Sequence, residues 1–145
     1  MLRSSKFAGL ALFIAGLVLY TATTQAQEKA SKVLAKGEFH KVEKAGKGTA
    51  TVYILADGKR ILRLTGFETD NGPDLHVRLI AADDAIDTAS AGKAEFVELG
   101  KLKGNKGNQN YDLPENVDLS KYKVVSIWCN RFSVNFAAAP LKAEK

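Results

Sequence analysis

Three side chains in this sequence carry metal or redox chemistry, and they are scarce: two histidines, His40 and His76, and one cysteine, Cys129. Together they are the ligand inventory of a blue-copper centre, and the thiol alone can serve as a redox sulfur or as an axial ligand to haem. The spacing argues against copper. Such centres take Cys and a nearby His from one loop with a weak axial ligand beyond, whereas Asn130 to Phe136 holds no histidine and the single methionine is Met1. No metal site is therefore expected. Gly-x-Ser-x-Gly, His-Glu-x-x-His, Cys-x-x-Cys-His and a phosphate-binding glycine loop are all missing, so the chain does not read as a hydrolase or as a stand-alone enzyme. Two readings of Cys129 stay open: a candidate redox thiol, and a small apolar group packed in a core.

The stretch that must position Cys129 is Val124 to Phe136, the longest β-type run, which also contains the only tryptophan, Trp128. Val125, Ile127 and Cys129 share one face, while Phe132, Val134 and Phe136 alternate in the opposite phase. The slip predicts a bulge or tight turn at Asn130-Arg131. Trp128 then points to the other face, and Arg131 stands near enough to the thiol to favour its anion.

Other strands follow from alternation and turn chemistry. Thr49–Ala56 and Lys59–Gly66 flank Asp57-Gly58, which predicts a hairpin with a type I′ turn. After Asn71-Gly-Pro73, the run from Asp74 points Leu75, Val77 and Leu79 inward and leaves Asp74, His76 and Arg78 on a wet face. Ala81–Gly92 has no clear period and reads as a helical turn or long loop. Phe96–Leu102 is a strand, Lys103–Asn110 a glycine and asparagine loop, and Tyr111–Leu113 a short strand. The sum is an all-β chain: an antiparallel β-sandwich of about seven to eight short strands. Asp74, His76, Asn105, Asn108, Gln109 and Arg131 are the candidate binding residues on its loops and loop ends.

The first residues read differently. Arg3 and Lys6 precede an uncharged apolar run from Phe7 to Tyr20, and small residues lead up to Ala26. That layout predicts a signal peptide over 1–26 or, if uncleaved, a membrane anchor through residues 7–26. The expected product is periplasmic or extracellular. Residues 27–36 read as a flexible linker, 37–141 as the domain and 142–145 as a tail. Loss of Arg3 and Lys6 takes 21 basic residues to 19 against 16 acidic ones, so the net charge falls from +5 to +3. That mild charge on an exported chain excludes nucleic acid as a partner. One cysteine also excludes an internal disulfide framework.

Three segments, Asn71-Gly-Pro-Asp-Leu-His-Val77, Leu99 through Pro114, and Ile127-Trp-Cys-Asn-Arg-Phe-Ser-Val-Asn-Phe136, occur in that order, and from about Gly37 to Leu141 the chain resembles a DM13 domain. The resemblance implies a small extracytoplasmic β-domain taking part in electron transfer, its cysteine, matched by Cys129, acting as a naked thiol or binding a prosthetic group such as haem. Many members place a histidine where this chain reads Lys44-Ala-Gly-Lys-Gly48, and His40 lies out of register with it. Three functions remain in view: a redox module using Cys129, a binding module whose loops meet a ligand or a redox or envelope protein partner while Cys129 only packs, and an accessory domain held by its N-terminal anchor.

Overall fold

The computed structural model describes residues 31–145. The expected signal or anchor segment and residues 27–30 of the expected linker lie outside them. The described chain runs β1 (Lys32–Glu38), β2 (His40–Lys41), β3 (Gly46–Ile54), β4 (Arg60–Thr69), β5 (Leu75–Ile80), α1 (Thr88–Lys93), β6 (Phe96–Lys101), β7 (Lys106–Leu113), β8 (Val124–Cys129), β9 (Val134–Pro140) and β10 (Lys142–Ala143). The strands form two antiparallel five-stranded sheets, ordered β10-β1-β3-β4-β7 and β2-β9-β8-β5-β6. This is the expected sandwich with more strands than foreseen, because β2 and β10 are two-residue edge strands and Lys32–Lys36 of β1 falls in the expected linker.

Period-2 alternation builds the core. Leu62 and Leu64 of β4, Val52 of β3, Val77 and Leu79 of β5, and Val125 and Ile127 of β8 are all fully buried between the sheets. A smaller cluster of Ile80, Val124, Trp128 and Ala138 lies on the outer face of the second sheet, covered by the segment carrying Ala85 and Ala91. That segment begins α1 with an N-cap, the Asp87 carboxylate accepting the Ser90 amide at 2.7 Å, and it packs Gly92 against the Trp128 ring.

Several expectations are corrected by the strands themselves. Lys32–Lys36 is not linker but most of β1, because Ala35 reaches the core and the backbone pairs with both β3 and β10. Lys142 and Ala143 are not free tail but pair with Lys36 and Ala35. Lys106–Asn110 is not loop but the first part of β7, with Gly107 at φ 102 opposite an irregularity in β4 where Gly66 has φ 58. The expected hairpin turn is present in another form. Only Gly58 has positive φ, the Gly58 amide donates to the Leu55 carbonyl at 3.0 Å, and the Leu55 amide donates to Lys59 at 2.8 Å. That is a type I turn closed by a left-handed glycine, which needs one residue at positive φ where type I′ needs two. The slip at Asn130 is a tight turn joining β8 to β9, with Ser133 at φ 51. Phe132 sits on that turn at 61% exposure, outside the row it was expected to share with Val134 and Phe136.

Two glycines test separate physical causes. A Cβ at Gly37 would lie 2.0 Å from the Pro140 carbonyl oxygen, where β1 crosses β9, whereas one at Gly58 meets nothing within 4 Å and suffers only from φ 86. Gly58→Ala is expected to cost about 1 kcal/mol, and Gly37→Ala more, in the range of about 1–3 kcal/mol for forced overpacking. Urea denaturation of both variants checks the order, and equal losses would contradict the close approach at Gly37.

Candidate functional site

The antiparallel register of β5 with β8 places Leu75 beside Cys129, His76 beside Trp128, and Arg78 beside Ser126. Odd positions of β5 face the core and even positions face outward, so Cys129 and His76 lie on opposite faces of one sheet. Cys129 is fully buried, with Leu75 and Val134 as strand neighbours and Phe136 in the same core cluster. Above Leu75 sits Gly72, whose hydrogen side faces both Leu75 and the Phe136 ring. Arg131 is exposed on the turn and makes no ion pair or side-chain hydrogen bond with any described residue. An axial haem ligand must present its sulfur to a slot as wide as the macrocycle. Cys129, walled in by aliphatic and aromatic side chains, does not fit that requirement.

On the outward face the expected wet row is an organised charge network. His76 is only 13% exposed: Nε2 meets Asp74 Oδ1 at 2.8 Å, and Nδ1 meets Glu98 Oε1 of β6. Arg78, 14% exposed, donates from Nε to Glu98 Oε2 at 3.2 Å and from Nη2 to Asn130 Oδ1 at 2.7 Å. Its guanidinium carbon lies 3.9 Å from the Phe96 ring centroid and 5.2 Å from that of Trp128. The Asp74 carboxylate holds His76, and its main-chain carbonyl accepts the Asn130 amide at 2.9 Å.

The remaining candidates divide between bracing and surface. Gln109 turns inward: its Nε2 donates to the Gly104 carbonyl at 2.9 Å and its Oε1 accepts from the Gly104 amide and the Tyr111 hydroxyl. Burial raises the pKa of that tyrosine against the opposing bond from the Lys103 amide, which keeps the hydroxyl neutral and able to donate. Asn108 Oδ1 accepts the Gly66 amide at 2.8 Å, tying β7 to the irregular part of β4. Asn105 bonds Thr69 in both directions and stands at the edge of a groove of about 310 Å³, formed by residues 71–75, 101–102 and 104–105. Asp74 and Leu75 belong to that groove, and Cys129 does not.

The structure therefore brings Asp74 and His76 together and sets Asp74 beside Asn105. It turns the His76 ring to the sheet face opposite Cys129, with no side-chain bond from Asp74 or His76 to Arg131 or Asn108. His40 is on β2, across β9 and β8 from His76, and its Nε2 faces Asp84 at 2.7 Å. Glu98, Arg78 and Asn130 were missed as site residues. Phe96 and Glu98 share one face of β6 by period 2, and that was the available signal; the β5–β6 pairing that aligns Arg78 with Glu98 has no local signature.

A family model described as electron transfer DM13 matches residues 38–141. No curated protein and no solved structure matches the chain.

Two outcomes follow from these contacts. Arg78→Met keeps the stem but strips Glu98 Oε2 and Asn130 Oδ1 of their donor, and is expected to cost about 1–3 kcal/mol in urea denaturation. The exposed pair Lys106–Glu68, 3.6 Å apart, is the control, and Lys106→Met should leave the midpoint nearly unchanged. For His40, burial opposes the charged ring, but bonds to the Lys41 carbonyl and Asp84 outweigh it and raise the pKa above 6.5. A raised folded-state value means that the stabilisation is complete below the unfolded value and is lost as pH rises through the folded one. Denaturation midpoints should therefore fall over a window starting near pH 6.5, and Asp84→Asn should flatten that step. A step of the same size in Asp84→Asn would show that the contact does not govern it.

Proposed function

The chain belongs to the electron-transfer DM13 family, and from that premise we propose that it is a ligand- or partner-binding module of an extracytoplasmic electron-transfer system. In this reading Cys129 is a structural thiol. The observation that carries it is the complete burial of Cys129, while the loops around Asp74 and Asn105 present an open groove. Thiolate chemistry needs an accessible sulfur in an electropositive setting, whereas the sulfur faces the core, Arg131 is on the exposed turn and Arg78 lies on the opposite sheet face. The extracytoplasmic location rests on the charged, apolar and small-residue sequence of residues 1–26. A redox or envelope protein is the partner such a module would serve.

Thiol titration of the folded protein separates this reading from a redox thiol. Cys129 is expected to resist an aromatic disulfide reagent near neutral pH and to react on addition of denaturant. Modification of the native protein within the mixing time would overturn the proposal, as would a Soret band in protein purified from its native host. Cys129→Ala should cost about 1–3 kcal/mol of stability, as for other small core truncations. A Cys129→Ser variant that stays folded yet loses electron transfer would assign the chemistry to sulfur.

A further inference from the structure

Three large apolar side chains are exposed among the described residues, Ile86, Phe96 and Phe132, and they differ in what surrounds them. Phe96 stacks on the Arg78 guanidinium. Ile86 stands among Asp83, Asp84 and Asp87, and each of these carboxylates is engaged within the fold, by Lys123, by His40 and by the Ser90 amide respectively. Phe132 is 61% exposed and stacks on no described ring or cation. The turn that displays it is fixed in place. Asn130 is tied twice, its amide donating to the Asp74 carbonyl at 2.9 Å and its Oδ1 accepting from Arg78 Nη2 at 2.7 Å. Ser133, at φ 51, is the only non-glycine at positive φ among the described residues. Backbone strain held in place by its surroundings is concentrated at functional sites.

The cations around Phe132 are uncommitted. The second sheet runs β2-β9-β8-β5-β6, so the turn at residues 130–133 caps its two middle neighbours, β8 and β9. To one side lies Lys44, after β2, its amide donating to the Phe136 carbonyl at 3.0 Å; to the other, Lys101 ends β6 in register with His76 of β5. Lys44, Arg131 and Lys101 are all exposed, and none makes a side-chain hydrogen bond or ion pair with any described residue. With strands about 5 Å apart, this row spans roughly 20 Å across the end of the sheet. Of the carboxylates at that end, Asp74 is held by His76 and Glu43 by the Thr88 hydroxyl.

Resting on the binding reading above, we propose that the β8–β9 turn docks a protein partner whose acidic surface holds an apolar pocket, Phe132 entering the pocket while Lys44, Arg131 and Lys101 meet carboxylates around it. Aromatic residues and arginine are the types enriched at interface centres, and charges at the rim steer the encounter. An anionic bilayer fits less well, because one phenyl ring gives a membrane little to bury. The end carrying Ile86 lacks free cations of this kind beside its apolar side chain, since Lys123 is taken by Asp83.

Photo-cross-linking in the native host tests the surface, with p-benzoylphenylalanine placed in the full chain at Phe132, at Asn71 in the groove or at Ile86, and the products identified by mass spectrometry. Position 132 is expected to capture a protein through an acidic surface, with a yield that falls as salt rises and drops about tenfold when Lys44→Gln, Lys101→Gln and Arg131→Gln are combined. Position 86 should give no such product. Circular dichroism reports whether each variant is folded. A yield indifferent to the triple substitution, capture through a basic surface, or no product from position 132 would overturn the proposal. Lipid adducts in place of protein would assign the turn to a membrane and overturn it too. Capture from position 71 alone would remove this surface and leave the binding module standing, and the thiol titration decides that reading independently.

Discussion

The pairing of β5 with β8 is the constraint on which the rest depends. Fixing Leu75 opposite Cys129 and His76 opposite Trp128 sends one set of side chains into the sandwich and the other onto its outer surface. A slip of one residue would exchange them, putting imidazole and guanidinium into an apolar core and leucine and valine into water. Desolvating an unpaired charge is costly enough to prohibit that alternative. The register is thus held from both sides, by the apolar row within and by the charge network without.

The same pair of strands explains why the cysteine and the histidine do not cooperate. They are close in the sheet and opposite in direction. Sulfur chemistry and proton-carrying groups in one site would have required them on the same face, and β-strand geometry forbids this for residues paired in this register. What is left on the outer face is a polar arrangement whose apolar cover comes from Phe96 and Trp128, both stacked on Arg78.

Alternation was enough to read which residues of β5 and β8 face the core, and Asp57-Gly58 was enough to place a hairpin. Where the sequence misled, long-range contact was the reason. Lys32–Lys36 looks like a soluble spacer because its lysines point outward, and only its partners β3 and β10 reveal that it is a strand. Lys106–Asn110 has turn composition, yet its backbone is held by β4, and glycine at positive φ absorbs the misfit. Of the site, Asp74 and His76 were legible through their place after Pro73. Glu98 and Asn130 were not, since each joins the network only through pairing or a turn that no short window contains. Gln109 was read as a surface group on composition, but the adjacent Tyr111 hydroxyl made an inward amide the better use of it.

Strand β1 lies between β3 and β10, so Lys36 pairs with Thr51 on one side and with Lys142 on the other. Gly37 meanwhile rests on Pro140. The first of the described strands to be synthesised is thus joined to the last. Closure of the sandwich at this seam has high contact order and must wait for the whole chain, leaving β1 with one exposed edge until then. A chain still being synthesised keeps an unfinished sheet, and a chain lacking residues 142–145 would carry that open edge permanently, with the aggregation hazard an unpaired strand brings.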